Sequence, residues 1–203
     1  MLAARRFTSC PCCNVAMLNF NAKRPAYKLR LKRTLCNKNH GISKANVEDS
    51  NQIGSLLVET WKYAYKGIMQ QSVLDDLSVQ QRSEGWKRVL ETEPEVYVLR
   101  NGKELLGVVQ VCEFRGKIAR YCDFSEIPVL YLRPKVIGQG FGSMLLNYAH
   151  ERSTVRESKG VVLWVLEENT RAIDFYCKHG YSFSGETKAH NADLTEHLYA
   201  KNA

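Results

Sequence analysis

Gly138-Gln139-Gly140-Phe141-Gly142 sets glycine at three alternate positions between an apolar run and a helix-forming segment. A residue without Cβ lets backbone N–H groups approach a phosphate and adopts conformations that other residues avoid. A helix that follows adds unpaired N–H donors and the positive end of its dipole. The expected chemistry is therefore capture of a phosphate or diphosphate by Gly138 to Ser143. A glycine turn that only packs helix against strand is the alternative. Two other nucleotide loops fit worse. No Gly-Lys-Ser/Thr ending is present, and the spacing is not G-x-G-x-x-G with an acidic residue ~20 positions on.

The elements that must position this loop are readable from periodicity and punctuation. Ile42 to Ala45 reads as a short strand. Ile53, Leu56, Leu57, Thr60, Trp61 and Ala64 recur near i, i+3, i+4, which predicts an amphipathic helix over residues 50–65. A second helix is expected from Ser78, a candidate cap, to Glu91, with Pro94 ending that region. Val96–Leu99 and Leu105–Val111 flank the hairpin signal Asn101-Gly102. Ile127–Leu132 reads as a strand leading into the loop, and Ser143–His150 as the helix leaving it. Val161–Leu166 is apolar on both faces, as a buried parallel strand would be. Thr170–Lys178 is a short helix with Asn169 as N-cap and Gly180 just past its end. Tyr181–Gly185 and Leu194–Ala200 are candidate closing strands. An α/β domain with a mixed sheet follows.

Charge divides the chain. Residues 1–44 carry ten Lys/Arg and no Asp or Glu, whereas the remainder holds 19 basic and 21 acidic residues. The formal net charge of +8 is thus a property of the leader. The body lacks the basic balance that nucleic-acid binding needs. The longest apolar run, Val161 to Leu166, is far short of the ~20 residues of a membrane helix, so no membrane span is expected. The reading is cytoplasmic, with an organelle matrix as the alternative.

Residues 1–40 mix Pro, Asn and Lys/Arg without periodicity, and form a basic leader ahead of the domain at 41–203. Three readings stay open for it: a disordered tail, a targeting presequence beginning around Arg5 and Arg6, or a metal site from Cys10-x-x-Cys13 and Cys36-x3-His40. The 22 residues between those pairs exceed the usual finger spacing, and no metal is expected. Met17 is a second candidate start. Seven cysteines without a secretion signal argue for reduced thiols.

Leu130-Tyr131-Leu132-Arg133-Pro134 followed by Gly138 to Leu146 closely resembles the cofactor motif of the GNAT N-acetyltransferase superfamily. The resemblance continues through Leu163 to Tyr176 and on to Gly180-Tyr181, and covers about residues 41–200. It implies a mixed, mostly antiparallel sheet with helices on both faces. It also implies an enzyme that moves an acetyl group from acetyl-CoA to a primary amine, on a small molecule or a protein. A non-catalytic acyl-CoA-binding regulatory module of the same fold is the alternative. One departure stands out: the family loop reads Q/R-x-x-G-x-G/A, and the first position here is Ile137.

The same resemblance assigns roles. Leu130, Tyr131 and Leu132 would pair with the pantetheine arm, and an N–H there would polarise the thioester carbonyl. Gly138, Gln139, Gly140, Phe141, Gly142 and Ser143 would surround the pyrophosphate, with Asn169 near the cofactor amides. Tyr176 matches the tyrosine that protonates the leaving thiolate. A phenol near ~10 and an alkyl thiol near ~8.5 are close enough for that transfer. The acceptor ammonium, near ~10.4, must first lose a proton. Glu126 is the candidate base and Glu113 a weaker one. Trp164 stands where some relatives carry a catalytic carboxylate, and Cys177 reads as packed rather than nucleophilic. Direct attack in a ternary complex is expected. Tyr63, Tyr65, Asp75 and Asp76 are candidates for the acceptor entrance, and a homodimer is left open.

Overall fold

The computed structural model describes residues 40–92, 95–152 and 157–203. The leader readings, apart from His40, and the break at Pro94 lie outside the described residues. Seven strands form one sheet in the order β1-β2-β3-β4-β5-β7-β6. These are β1 (His40–Lys44), β2 (Val96–Asn101), β3 (Glu104–Glu113), β4 (Ser125–Leu132), β5 (Gly160–Leu166), β6 (Ser182–Ala189) and β7 (Thr195–Asn202). Every neighbouring pair is antiparallel except β4 and β5, which run parallel. Val161–Leu166, expected as a parallel strand, is parallel to one neighbour and antiparallel to β7 on the other side.

Alternation on β2 decides which helices cover which face. Val96 and Val98 pack with Ile53, Leu56 and Leu57 of α1 (Ser50–Ala64) and Trp86 of α3 (Val79–Thr92). Tyr97 and Leu99 point the other way, into a core with Leu145, Leu146 and Ala149 of α4 (Phe141–His150). Tyr176 of α5 (Thr170–Lys178) joins that second core. Burying each large apolar side chain is worth roughly 1.5–3 kcal/mol, so the period-2 and period-3.6 patterns together fix the layers. The helices thus lie on both faces. Gln81 donates its N–H to Ser78 Oγ at 3.3 Å, which realises the expected cap of α3.

The main element not anticipated is α2, a five-residue helix at Gln71–Asp75. Its length supports too little periodicity to be read, and its one buried residue, Leu74, sits in a small cluster with Met69, Leu166 and Leu194. Strand ends also differ from expectation. β4 starts at Ser125, two residues before Ile127, so Glu126 lies inside the ladder opposite Cys112. All described residues fall within one compact unit, Asn37–Ala203. No helix among them is long and apolar enough to cross a membrane.

Candidate active site

The site begins where the sheet comes apart. β4 and β5 pair only at Ser125–Val161 and Glu126–Val162, and beyond these the two strands separate. Gln110 faces Val129 and Cys112 faces Glu126, so the single residue Val111 stands opposite both Ile127 and Pro128. This bulge re-aims β4 at the point of separation. Arg133 donates its N–H to Leu106 O on β3 at 2.8 Å. Strand alternation then turns the N–H groups of Leu132 and Leu130 away from β3, into the gap.

Two polar contacts hold α1 against this end of β4. Thr60 Oγ1 donates to Leu132 O at 3.0 Å. Arg133 pairs with Glu59 and donates through Nε to Leu105 O at 2.8 Å. The start of the glycine loop is thereby tied to both β3 and α1. Neither contact was legible in the sequence, because both join residues more than 25 positions apart.

The loop itself has the backbone that its glycines imply. Gly138 and Gly140 have φ of 82° and 89°, and Gly140 occupies the N-cap of α4. A Cβ at either would meet open space, so conformation rather than crowding requires glycine there. Gly142 is different: a Cβ would lie 3.2 Å from the Phe175 ring, and the glycine lets α4 approach α5. Met144 makes the first helical bond, to Gly140 O. The N–H groups of Phe141, Gly142 and Ser143 precede it and have no acceptor among the described residues. The cradle fits a diphosphate.

Loop, gap and α5 border one cleft of about 960 Å³, at the upper end for a ligand site. Leu130, Tyr131, Leu132, Gly138, Gly140, Gly142, Ser143, Asn169, Tyr176 and Glu126 all line it. Gln139 and Phe141 do not. The Gln139 side chain folds back to donate to Lys135 O at 2.9 Å, and Phe141 packs against the core and the His40 ring. Only their backbone can serve the site. Lys135 is paired with Glu104 and lies outside the cleft. Glu113, Asp75 and Asp76 are also outside it, and the acidic lining is instead Glu126, Asp174 and Glu196. Asp75 is occupied by Gln71 on its own short helix, at 2.8 Å.

Asn169 caps α5, its Oδ1 accepting from Ala172 N–H at 3.2 Å, and it lines the cleft as well. Tyr176 is 9% exposed, and burial, with Tyr131 nearby, pushes its phenol well above the ordinary value. It stays an O–H donor. Glu126 is 4% exposed and clamped by Arg115, whose backbone N–H, Nε and Nη2 donate to it at 3.1, 3.3 and 3.0 Å. Oε2 takes two of these donors, while Oε1 takes one. Tyr65 and Tyr131 bring their hydroxyls to 3.5 Å, and burial raises both phenols. Across the mouth, Arg171 Nη1 donates to Tyr63 Oη at 2.7 Å, joining α5 to α1. Among the described residues, no group of three His, Cys, Asp or Glu side chains could hold a metal.

Residues 92–183 match the family model for the acetyltransferase (GNAT) domain. Over that stretch the chain is similar to the GNAT acetyltransferases. An uncharacterized N-acetyltransferase of Methanocaldococcus jannaschii is 35% identical over 81 residues, 40% of this chain and 35% of that relative. A peptidyl-lysine N-acetyltransferase of Salmonella typhimurium is 33% identical over 64 residues, 32% of this chain and 41% of the relative. The matched stretches therefore span less than half of either relative. A spermidine N(1)-acetyltransferase of Thermoplasma acidophilum is 23% identical over 149 residues, covering 69% and 86% of the two chains. At the level of fold, PaiA N-acetyltransferase from Thermoplasma acidophilum, solved with coenzyme A, superposes with a TM-score of 0.63. It is 18% identical and covers 81% of this chain and 99% of its own. The mostly antiparallel seven-stranded sheet with helices on both faces is that GNAT fold.

Proposed function

We propose that the protein is an N-acetyltransferase that passes an acetyl group from acetyl-CoA to a primary amine inside a ternary complex. One observation carries this reading: a parted β4/β5 pair and a glycine-headed helix open into the same cleft. Acetyl-CoA would supply the activated thioester. The chain's own residues would do the rest. Unpaired amides of Phe141 to Ser143 would hold the diphosphate, and the N–H groups of Leu130 and Leu132 would pair with the pantetheine arm. One of those N–H groups would face the thioester oxygen as charge develops on it.

Tyr176 would donate toward the leaving sulfur. Glu126 would take the ammonium proton through water at Oε1, the oxygen with the single protein donor. The names of the spermidine and peptidyl-lysine relatives support an alkyl amine as acceptor. Titration calorimetry with acetyl-CoA tests the site, and no binding at millimolar ligand overturns it. Thiol release with spermidine, free amino acids and lysine peptides then tests the transfer. The Arg115 clamp on Glu126 favours a second reading, an acyl-CoA-binding module without turnover. Binding without thiol release across that panel would select it.

A further inference from the structure

Ser143 stands on the first turn of α4 and lines the cleft, yet its hydroxyl already has a partner. His179, at the C-cap of α5, places Nε2 at 2.9 Å from Ser143 Oγ. The other ring nitrogen, Nδ1, lies 2.7 Å from the carbonyl oxygen of Phe175. The imidazole also rests on the Phe175 ring, with centroids 4.4 Å apart. Its orientation is thus held from both sides.

The protonation state of the ring decides what Ser143 can offer. A carbonyl oxygen only accepts, so Nδ1 must carry hydrogen. In the neutral ring Nε2 is then a lone pair, and Ser143 must give it its single O–H proton. The hydroxyl shows only lone pairs to the cleft, which suits an anion poorly. When the ring gains a proton, Nε2–H becomes the donor and Ser143 Oγ the acceptor. The serine proton is released and rotates toward a phosphate oxygen.

We propose that His179 is a positioning residue that sets the polarity of the Ser143 hydroxyl, so that the loop takes up a diphosphate together with a proton. This rests on the reading of the cleft as a coenzyme A site. The proton comes from the buffer and adds to the Nε2 lone pair, which inverts the Ser143–His179 hydrogen bond, and it returns to the buffer when the ligand leaves. The charged and imidazole side chains on α4, α5 and β7 are His150 of α4, Arg171, Asp174 and Lys178 of α5, and Glu196, His197 and Lys201 of β7; of these, His150 and Lys201 lie nearest the ring. A bound diphosphate places negative charge beside the pair and favours the protonated ring.

Linkage makes the consequence measurable. Coenzyme A affinity rises as pH falls across the imidazole range of ~5 to 8, by at most about tenfold per pH unit. Calorimetry of coenzyme A binding in buffers of different ionisation enthalpy counts the protons taken up. The 3′-phosphate of the ligand titrates in the same range, so the decisive quantity is the difference between wild type and variants. His179→Gln and Ser143→Ala, both checked for folding by thermal melts, should each lose the uptake attributed to the pair. The double variant should lose no more than either single one. Equal uptake in wild type and Ser143→Ala overturns the inference, since coupling would then run through charge alone. So does equal uptake in His179→Gln. If wild type binds no coenzyme A at millimolar concentration, the cleft reading itself falls, a result distinct from binding without proton exchange.

Discussion

Burial holds the Tyr176 phenol well above its ordinary value, and so above an alkyl thiol near ~8.5. Full transfer to the sulfur is uphill on that scale, and the phenol acts chiefly by donating a hydrogen bond to the growing thiolate. Tyr176→Phe should lower kcat about 10²-fold while leaving the Kd for coenzyme A unchanged; steady-state rates beside calorimetry check this. Unaltered turnover ends the role. Because the raised value keeps the phenol protonated, no loss of activity between pH 7 and 9 should trace to Tyr176. Gly140 gives the matching test of the loop. At φ of 89° an alanine is strained by about 1–2 kcal/mol, so Gly140→Ala should weaken coenzyme A binding roughly tenfold. An unchanged Kd would mean that the amides of this turn do not grip the ligand. These glycines were legible in the sequence because their type alone states the backbone they adopt. The Arg115 clamp on Glu126 was not, since an arginine in a polar loop gives no sign of where its guanidinium lands.

Elements carry the next level of control. α1 reaches β4 through Thr60 and Glu59, and both contacts fall at the end of the strand that borders the cleft. Thr60 is 5% exposed, so its replacement by Val keeps the shape and removes one buried donor. Thr60→Val should cost about 1 kcal/mol of stability, seen as a melting temperature lower by roughly 2–4 °C. No shift in the melt would mean that packing alone holds the helix there. The elements themselves were largely readable. α1, α3, α4, α5 and the central strands β2 to β5 bury apolar side chains in the two cores, and that pattern survives in the sequence, whereas β1 and β6 have no fully buried residue. The separation of β4 from β5 was not readable. It depends on a register bulge at Ile127-Pro128 and on a pairing that stops after two residues, and neither leaves a periodic trace. Asp75 and Asp76 were placed at the acceptor entrance for the same reason: without α2 in view, their segment had no face.

At the scale of the whole molecule, His150 couples the α4 side of the sheet to pH. It is the last residue of α4, with Nε2 at 3.1 Å from Tyr181 Oη. Burial first, then the charges of Lys201 and His179, lower its pKa to about 4. A cation at a helix C-terminus is ordinarily favoured, but here burial outweighs the dipole. The sign follows from linkage. The unfolded imidazole, near ~6.5, binds a proton at a pH where the folded one stays neutral. Stability from this group is therefore complete above about pH 6.5 and is lost progressively as pH falls toward 4. With a discount for its partial exposure, the loss should be about 1–2 kcal/mol, or some 2–8 °C in melting temperature. Carboxylates titrate over the lower part of the same window, so wild type alone is ambiguous. His150→Gln can still accept from Tyr181 and carries no titrating ring. The gap in melting temperature between wild type and His150→Gln should therefore shift in favour of the variant between pH 7.5 and 4.5. Parallel melting curves at every pH would show that the imidazole takes its proton in the folded protein as readily as in the unfolded chain.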